Sequence, residues 1–270
     1  MHADRPIVIA SLSAAMFFFQ ALGVPHAQGK DHINMVRVPT GPFTMGSNDG
    51  PDDERPQHRV ETAEFLIDRT KVTNTQFAEF LNAVGSVGKR GENYFDVNDN
   101  DARVHRLNGK WRADRGFEYN PVVEVSWYGA LAYCVWRRKH LPTEAQWEKA
   151  ARGIDGRKYP WGNEMPDSTL AHFNGGWNDF RPVGTFPKGA SPFGLLDAAG
   201  NGWEWVSSAY KPYPYDPSDG REDLSRDQIR VTRGGGQDSL LDELTTTHRG
   251  RHVSRNPRGG HHNISFRCAR

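Results

Sequence analysis

The stretch LPTEAQWEKAARG, residues 141–153, specifies a helix at both of its ends. Thr143 is a favourable N-cap residue, and Gln146 three positions later completes a capping box, in which the two residues satisfy each other's backbone N–H groups. Gly153 can adopt the left-handed conformation that commonly ends a helix. We therefore expect a helix that begins at Thr143 and ends near Gly153.

Two further helices are predicted before this one. Thr73 and Gln76 repeat the capping spacing ahead of apolar residues on one face. Ser126 begins a second apolar stretch, SWYGALAYCVW, which we expect to run as a helix to about His140. These signals predict a chain with few helices, all in its first 153 residues.

The rest of the chain is typical of small sheets and loops. MVRVPTGPFTMGS (35–47) alternates apolar and polar residues around a Pro/Gly turn and predicts a β-hairpin. Residues 85–119 are rich in Gly, Asn, Asp and Arg, which indicates an exposed insertion with little core of its own. Because no linker divides the chain, we expect one α+β domain over residues 30–270.

Composition excludes several classes of protein. Lys+Arg 34 against Asp+Glu 33 leaves almost no net charge, so neither a nucleic acid nor an anionic membrane is an expected partner.

Arg5 precedes the apolar run IVIASLSAAMFFFQALGV, which ends near Pro25. This pattern predicts a signal peptide over residues 1–27 and a periplasmic or secreted mature protein without a membrane segment. The alternative is an uncleaved membrane anchor.

Five motifs follow one another in the second half of the chain. They are LPTEAQWEKAARG (141–153), YPWG (159–162), GNGWEWV (200–206), RVTRGGG (230–236) and SFRCAR (265–270). Their order resembles the sulfatase-modifying-factor family, whose best-known members are the formylglycine-generating enzymes. The resemblance implies a single-domain, loop-rich α+β fold related to C-type lectins, with few helices and small sheets.

The two cysteines of the chain can form only one pair, Cys134 with Cys268. An even number of cysteines in an oxidising compartment suggests a disulfide. The resemblance supports this bond, because related enzymes join the two matching positions. The alternative is two inert, buried thiols.

The segment after RVTRGGG lacks the chemistry of the best-known family members. The resemblance places their two working cysteines at Ser239 and Leu244, and a serine beside them at Gly236. Copper(I) binding and exchange with a client cysteine both need a thiolate. We therefore expect no formylglycine formation by the two-cysteine mechanism.

Carboxylates, imidazoles and an aromatic side chain remain in this region, and they define a candidate cleft. Its residues are Trp203, Asp238, Ser239, Asp242, Glu243, Leu244, His248 and His252. The resemblance places Trp203 in the cleft lining. Histidine with carboxylate is a plausible ligand set for iron or copper(II). The alternatives are a polar, substrate-contacting cleft without a transition metal, or solvated loop histidines.

Two loops are candidates for structural calcium, which prefers carboxylate and carbonyl oxygens. The resemblance implies one set at Asp197, Gly200, Gly202 and Glu204. It implies a second at Asn174 and Gly175, with Asn178 or Asp179 replacing an acidic segment that is shortened here. The alternative for the first loop is a hydrogen-bonded turn without an ion.

Two functions are consistent with these features. One is an exported maturation or oxidation factor that acts on a peptide or protein client, as do family relatives that oxidise a peptide-derived siderophore or accompany nitrite reductases. The other is a non-catalytic ligand-binding or scaffold module on the same fold. No catalytic residue and no oligomeric state can be assigned from the sequence.

Overall fold

The computed structural model describes residues 34–250 and 256–270, so the predicted signal peptide lies outside the described residues. Within this part of the chain the α-helices are α1 (Asn74–Val84), α2 (Trp127–Trp136) and α3 (Glu144–Arg152). The strands are β1 (Met35–Val38), β2 (Gly41–Met45), β3 (His58–Thr62), β4 (Phe65–Asp68), β5 (Val104–Leu107), β6 (Lys110–Ala113), β7 (Trp203–Ala209), β8 (Arg230–Arg233) and β9 (Ile264–Phe266). None of the described helices is long and apolar enough to cross a membrane.

The capping signals of all three helices are confirmed. Thr73 and Thr143 each form the reciprocal capping box with the glutamine three residues later. The Ser126 hydroxyl accepts the N–H of Gly129 at 3.0 Å. Helix α2 ends at Trp136, earlier than the predicted end near His140. Arg138 has a positive φ, and the backbone of His140 instead exchanges hydrogen bonds with Ala269.

The predicted hairpin over residues 35–47 is wrong. Both strands form, but β1 pairs with β4 and β2 pairs with β3, each antiparallel, in separate two-stranded sheets. Lys149 of α3 donates to the carbonyls of Pro39 and Gly41 at 2.7 and 2.8 Å, beside the connection between the two strands. A distant helix therefore holds this connection, which alternation along the strands could not reveal.

Strand β7 lies at the centre of the domain. It pairs antiparallel with β8 and parallel with β9, and all seven of its residues are buried. Trp203 and Trp205 pack in the core formed by α1 and α2, whereas Val206 packs with Trp147 of α3. The indole N–H of Trp205 donates to the carbonyl of Val125 at 3.0 Å, which satisfies its polar group.

The segment 85–119 contributes more to the core than its composition suggests. It contains the β5–β6 hairpin, and it buries Phe95, Ala102 and Val104 against α1 and α2. The prediction of an insertion with little core is wrong for this reason. A few apolar residues among many polar ones are enough to dock it.

The predicted disulfide is confirmed. Cys134 in α2 and Cys268 after β9 are bonded, with their Cα atoms 5.6 Å apart and 134 residues of separation. The bond fastens the segment that carries β9 to the core of helices α1 and α2. Since the sequence contains two cysteines, neither sulfur is left as a thiol.

Candidate functional site

A glycine turn after β8 brings the chain against the indole of Trp203. Gly234 and Gly235 both have positive φ, a conformation that disfavours other residues. A Cβ atom on Gly236 would lie 2.7 Å from Asp238 Oδ1 and 3.0 Å from Trp203 Cδ1. The Asp238 carboxylate therefore occupies the space that a side chain at residue 236 would need.

The two positions that match the working cysteines lie in the turn that follows. Ser239 is 3% exposed, and its hydroxyl accepts the N–H of Gly236 at 2.9 Å. Leu244 is fully buried next to Gly235. The structure thus places a hydroxyl and an aliphatic side chain where the resemblance implies two thiolates.

Asp238 lies at the centre of the polar part of the cleft. His262 Nε2 is 3.6 Å from its Oδ2, and the amide of Asn263 is 3.4 Å from both of its oxygens. His262 holds the pKa of Asp238 below its usual range, and the neighbouring amide acts in the same direction. Asp238 is therefore a carboxylate at neutral pH.

Trp177 forms one wall of the cleft. Its ring stacks on that of His262 at 3.7 Å, and its N–H donates to Asp101 at 2.7 Å. The residue is nevertheless 65% exposed. Neither Trp177 nor Asn263 was predicted from the sequence, because folding brings Trp177 onto His262 and Asn263 onto Asp238 from distant segments.

The remaining candidates are divided by the fold. His248 is 2% exposed; its ring lies 5.7 Å from that of Trp203, and its Nδ1 is 3.4 Å from Glu54. Asp242 is exposed, and Glu243 accepts the backbone N–H of Leu240 at 3.0 Å. His252 lies outside the described residues. Among the described residues, His248 does not belong to any group of three side chains whose ligand atoms lie close enough together to share a metal ion. The expectation of iron or copper therefore stays a prediction.

A surface pocket of about 370 Å³ adjoins the same turn. It is lined by Phe173, Asn174, Leu240, Leu241 and Asp242. The backbone N–H of Asn174 donates to the Ser239 carbonyl at 3.0 Å, which fixes the pocket beside the cleft. The cluster of Asp238, His262 and Asn263 and an apolar pocket therefore adjoin the same turn.

The first predicted calcium loop already contains a cation. The ammonium of Lys71 is fully buried; it lies 3.2 Å from Glu204 Oε1, and it donates to the carbonyls of Gly200, at 3.1 Å, and Asp197. Arg267 also pairs with Glu204, at 2.6 Å. Burial lowers the pKa of Lys71, although Glu204 opposes this.

Calcium does not fit this loop while Lys71 is in place. The ammonium takes the carbonyl of Gly200 and the carboxylate of Glu204, two of the four predicted ligands. A divalent ion at the same point would lie against a buried positive charge. The hydrogen-bonded turn, the alternative to calcium, agrees with this arrangement.

The second predicted calcium loop also has engaged side chains. Its predicted residues are Asn174, Gly175, Asn178 and Asp179. The amide of Asn178 donates to Asp101, and Asp179 pairs with Arg181 at 2.7 Å. The carboxylate of Asp179 is thus already paired with a cation, whereas the buried Asn178 Oδ1 forms no hydrogen bond within the described residues, so calcium at this loop stays a prediction.

Three helices, small sheets and long loops around a buried central strand define an α+β domain of the formylglycine-generating-enzyme type. Residues 21–270 match the family described as "Sulfatase-modifying factor enzyme 1-like domain", and the chain belongs to this family. PvdO from Pseudomonas aeruginosa is a solved structure with the same fold. Its TM-score is 0.68 at 29% identity, over 87% of this chain and 93% of that one.

Two curated relatives bear on function. "Inactive C-alpha-formylglycine-generating enzyme 2" of Bos taurus is 33% identical over 88% of both chains. "Serine/threonine-protein kinase Pkn1" of Chlamydia trachomatis is 38% identical, over 87% of this chain and 38% of its own length. The chain thus spans little more than a third of that relative.

Proposed function

We propose that this protein is an exported maturation factor that holds a peptide or protein client beside Trp177, Asp238 and His262. It does so without forming formylglycine by the two-cysteine mechanism. The observation that carries the proposal is a cleft that keeps polar and aromatic side chains while Ser239 and Leu244 stand at the thiol positions. Membership of the sulfatase-modifying-factor family supports a protein client in general.

The chemistry of the cleft favours a particular kind of client segment. Asp238 offers a carboxylate whose pKa is lowered by His262, so it favours a cationic or hydrogen-bond-donating group. Trp177 adds an exposed aromatic face to that group. The neighbouring pocket, with Leu240 and Leu241 in its lining, suits an apolar side chain.

Export is supported by two features. The first residues have the pattern of a signal peptide. The two cysteines of the chain are joined in a disulfide, which persists in oxidising compartments and is rare in reducing ones. Expression with and without residues 1–27, followed by fractionation, tests this part of the proposal.

The client test uses photo-crosslinking in intact cells. A photoreactive residue at position 240, on the rim of the pocket, is expected to capture one discrete client. The same residue at position 107, an exposed site on β5, serves as the control. Asp238→Asn is expected to abolish the crosslink at position 240. Equal capture from both positions, or capture unaffected by Asp238→Asn, would show that the cleft does not bind a client.

The reaction test separates this protein from its catalytic relatives. A sulfatase peptide with its target cysteine is incubated with the purified protein and copper(I), beside a formylglycine-generating enzyme as the positive control. We expect the aldehyde, detected by mass spectrometry, only with the control enzyme. An aldehyde produced by this protein would refute the proposal that it lacks this chemistry.

A non-catalytic binding module is the second candidate. It is favoured by the similarity to a relative that is named inactive. Metal analysis and oxygen uptake with the captured client distinguish the two functions. Stoichiometric iron or copper with oxygen uptake supports an oxidase, whereas client binding without turnover supports the module.

A further inference from the structure

Three carboxylates converge at a place that neither predicted calcium loop includes. Asp99 and Asp101 belong to the segment 85–119, and Glu124 lies just before helix α2. Each carboxylate contributes one oxygen, and these three oxygens all lie within 4.8 Å of one another. The backbone fixes this approach, because the N–H of Asp96 donates to the carbonyl of Glu124 at 2.9 Å.

Glu124 is a buried member of this carboxylate cluster. The residue is 3% exposed. Across residues 34–250 and 256–270, no side chain forms an ion pair with it and no donor forms a hydrogen bond to its carboxylate; the charged groups that act on it are Asp99, Asp96 and Asp101. An acid that faces two other carboxylates without a counter-charge is an arrangement that a bound cation would stabilise.

The contrast with other buried acids strengthens this point. Glu204, Glu148 and Glu144 are equally inaccessible, and each pairs with a buried arginine. In the carboxylate cluster, Asp101 accepts hydrogen bonds from the neutral groups of Trp177 and Asn178. Those bonds orient its oxygens without balancing their charge.

We propose that Asp99, Asp101 and Glu124 bind a hard divalent cation of about the size of calcium. Calcium–oxygen distances of about 2.3–2.6 Å place two ligands on opposite sides of the ion up to roughly 5 Å apart, which accommodates the observed separations. Magnesium, with distances of about 2.0–2.1 Å, would require the ligands to draw closer. Asp99 is exposed and provides the side from which the ion and its remaining water ligands enter.

The ion would also fix one wall of the cleft. Asp101 is a ligand and at the same time the acceptor of the Trp177 N–H, and Trp177 stacks on His262. Binding therefore orders the position of Trp177 relative to the cleft. This site does not depend on the identity of the client or on any reaction of the protein.

Terbium(III), a luminescent substitute for calcium, tests the proposal directly. The purified full chain is stripped with a chelator and titrated with terbium while tryptophan is excited. We expect saturable emission at one equivalent, because Trp177 lies next to the ion, and we expect calcium to compete for the site. Glu124→Gln and, separately, Asp99→Asn are each expected to weaken binding roughly tenfold or more, since each removes a charged ligand.

Three controls locate the ion. Asp167→Asn, which removes an exposed acid elsewhere, is expected to leave affinity unchanged, and so is Asp197→Asn in the first calcium loop. Trp177→Phe is expected to reduce emission several-fold while calorimetry shows that terbium still binds. The proposal would be overturned by terbium emission that does not saturate, by normal affinity in both Glu124→Gln and Asp99→Asn, or by loss of binding in Asp197→Asn. Because Asp99 is exposed, its variant is informative even if Glu124→Gln misfolds.

Discussion

Replacing Lys71 with methionine is expected to destabilise the fold by about 3 kcal/mol, at the lower end of the range for breaking a buried ion pair. Methionine keeps an unbranched side chain of similar length but removes the ammonium. The carbonyl of Gly200 then loses its 3.1 Å donor, and that of Asp197 loses its bond from Lys71. An unsatisfied buried acceptor costs about 1–3 kcal/mol.

The estimate lies at the lower end because Glu204 keeps other partners. Arg267 still contacts its two oxygens at 2.6 and 2.7 Å, and Trp147 donates to it at 3.0 Å. Burial alone would raise the pKa of Glu204, but Arg267 and Lys71 outweigh this and lower it. Glu204 should therefore stay ionised without Lys71, and the loss should come mainly from the Gly200 carbonyl, because the Asp197 carbonyl keeps Arg267 Nη2 at 3.4 Å.

The assay is urea unfolding followed by circular dichroism in the presence of a chelator. Lys110→Met, an exposed lysine changed in the same way, is the control and is expected to change stability by less than about 0.5 kcal/mol. In a calcium titration, Lys71→Ala is expected to bind one equivalent more than the wild type, because it frees the oxygens of the loop. Two results would refute the reasoning. One is a loss of unfolding free energy below about 1 kcal/mol in Lys71→Met. The other is that the wild type binds one equivalent of calcium that the Asp197→Asn variant does not bind.

The remaining predictions concern the disulfide and the cleft. The double variant Cys134→Ser/Cys268→Ser is expected to lose about 4–5 kcal/mol of unfolding free energy by the loop-entropy model, and a loss below about 1 kcal/mol would contradict that model. His262→Gln is expected to raise the pKa of Asp238, measured by carboxylate NMR titration. Because that pKa is depressed in the folded protein, the pair stabilises the fold above the ordinary pKa of an aspartate and loses this effect as pH falls through the depressed value. His262→Gln should therefore flatten the acid limb of the stability profile, and an unchanged limb would show that the pair contributes nothing.

Local signals in the sequence predicted the helices well. The capping residues Thr73, Ser126 and Thr143 act within one turn of the helix they begin, so three or four residues contain the necessary information. Strand partners are different, because β1 and β2 follow each other in the chain, yet β1 pairs with β4 and β2 pairs with β3. Their choice depends on packing against α3, which no local pattern encodes.

The candidate site was predicted in part, for the same reason. The order of motifs located Trp203, Asp238 and Ser239 in one region, and the structure brings them together around Gly236. It could not reveal Lys71, whose ammonium reaches a carbonyl 126 residues further along the chain. Ligand positions inferred from a motif therefore describe only the residues within that motif, and a side chain from elsewhere can take the place of the ion.

Strand β9 has a consequence for how this protein is made. It pairs in parallel with β7, and the carbonyls of Phe266 and Cys268 accept from Val72 and Asp68 at 2.9 and 2.8 Å. A nascent chain on the ribosome therefore cannot complete either its central sheet or the surroundings of β4 before residues 264–268 have emerged. Such distant pairings make folding slow and leave strand edges open to aggregation in the meantime. Synthesis must reach β9 before the domain can close, and until then the polypeptide stays in a state that chaperones can bind.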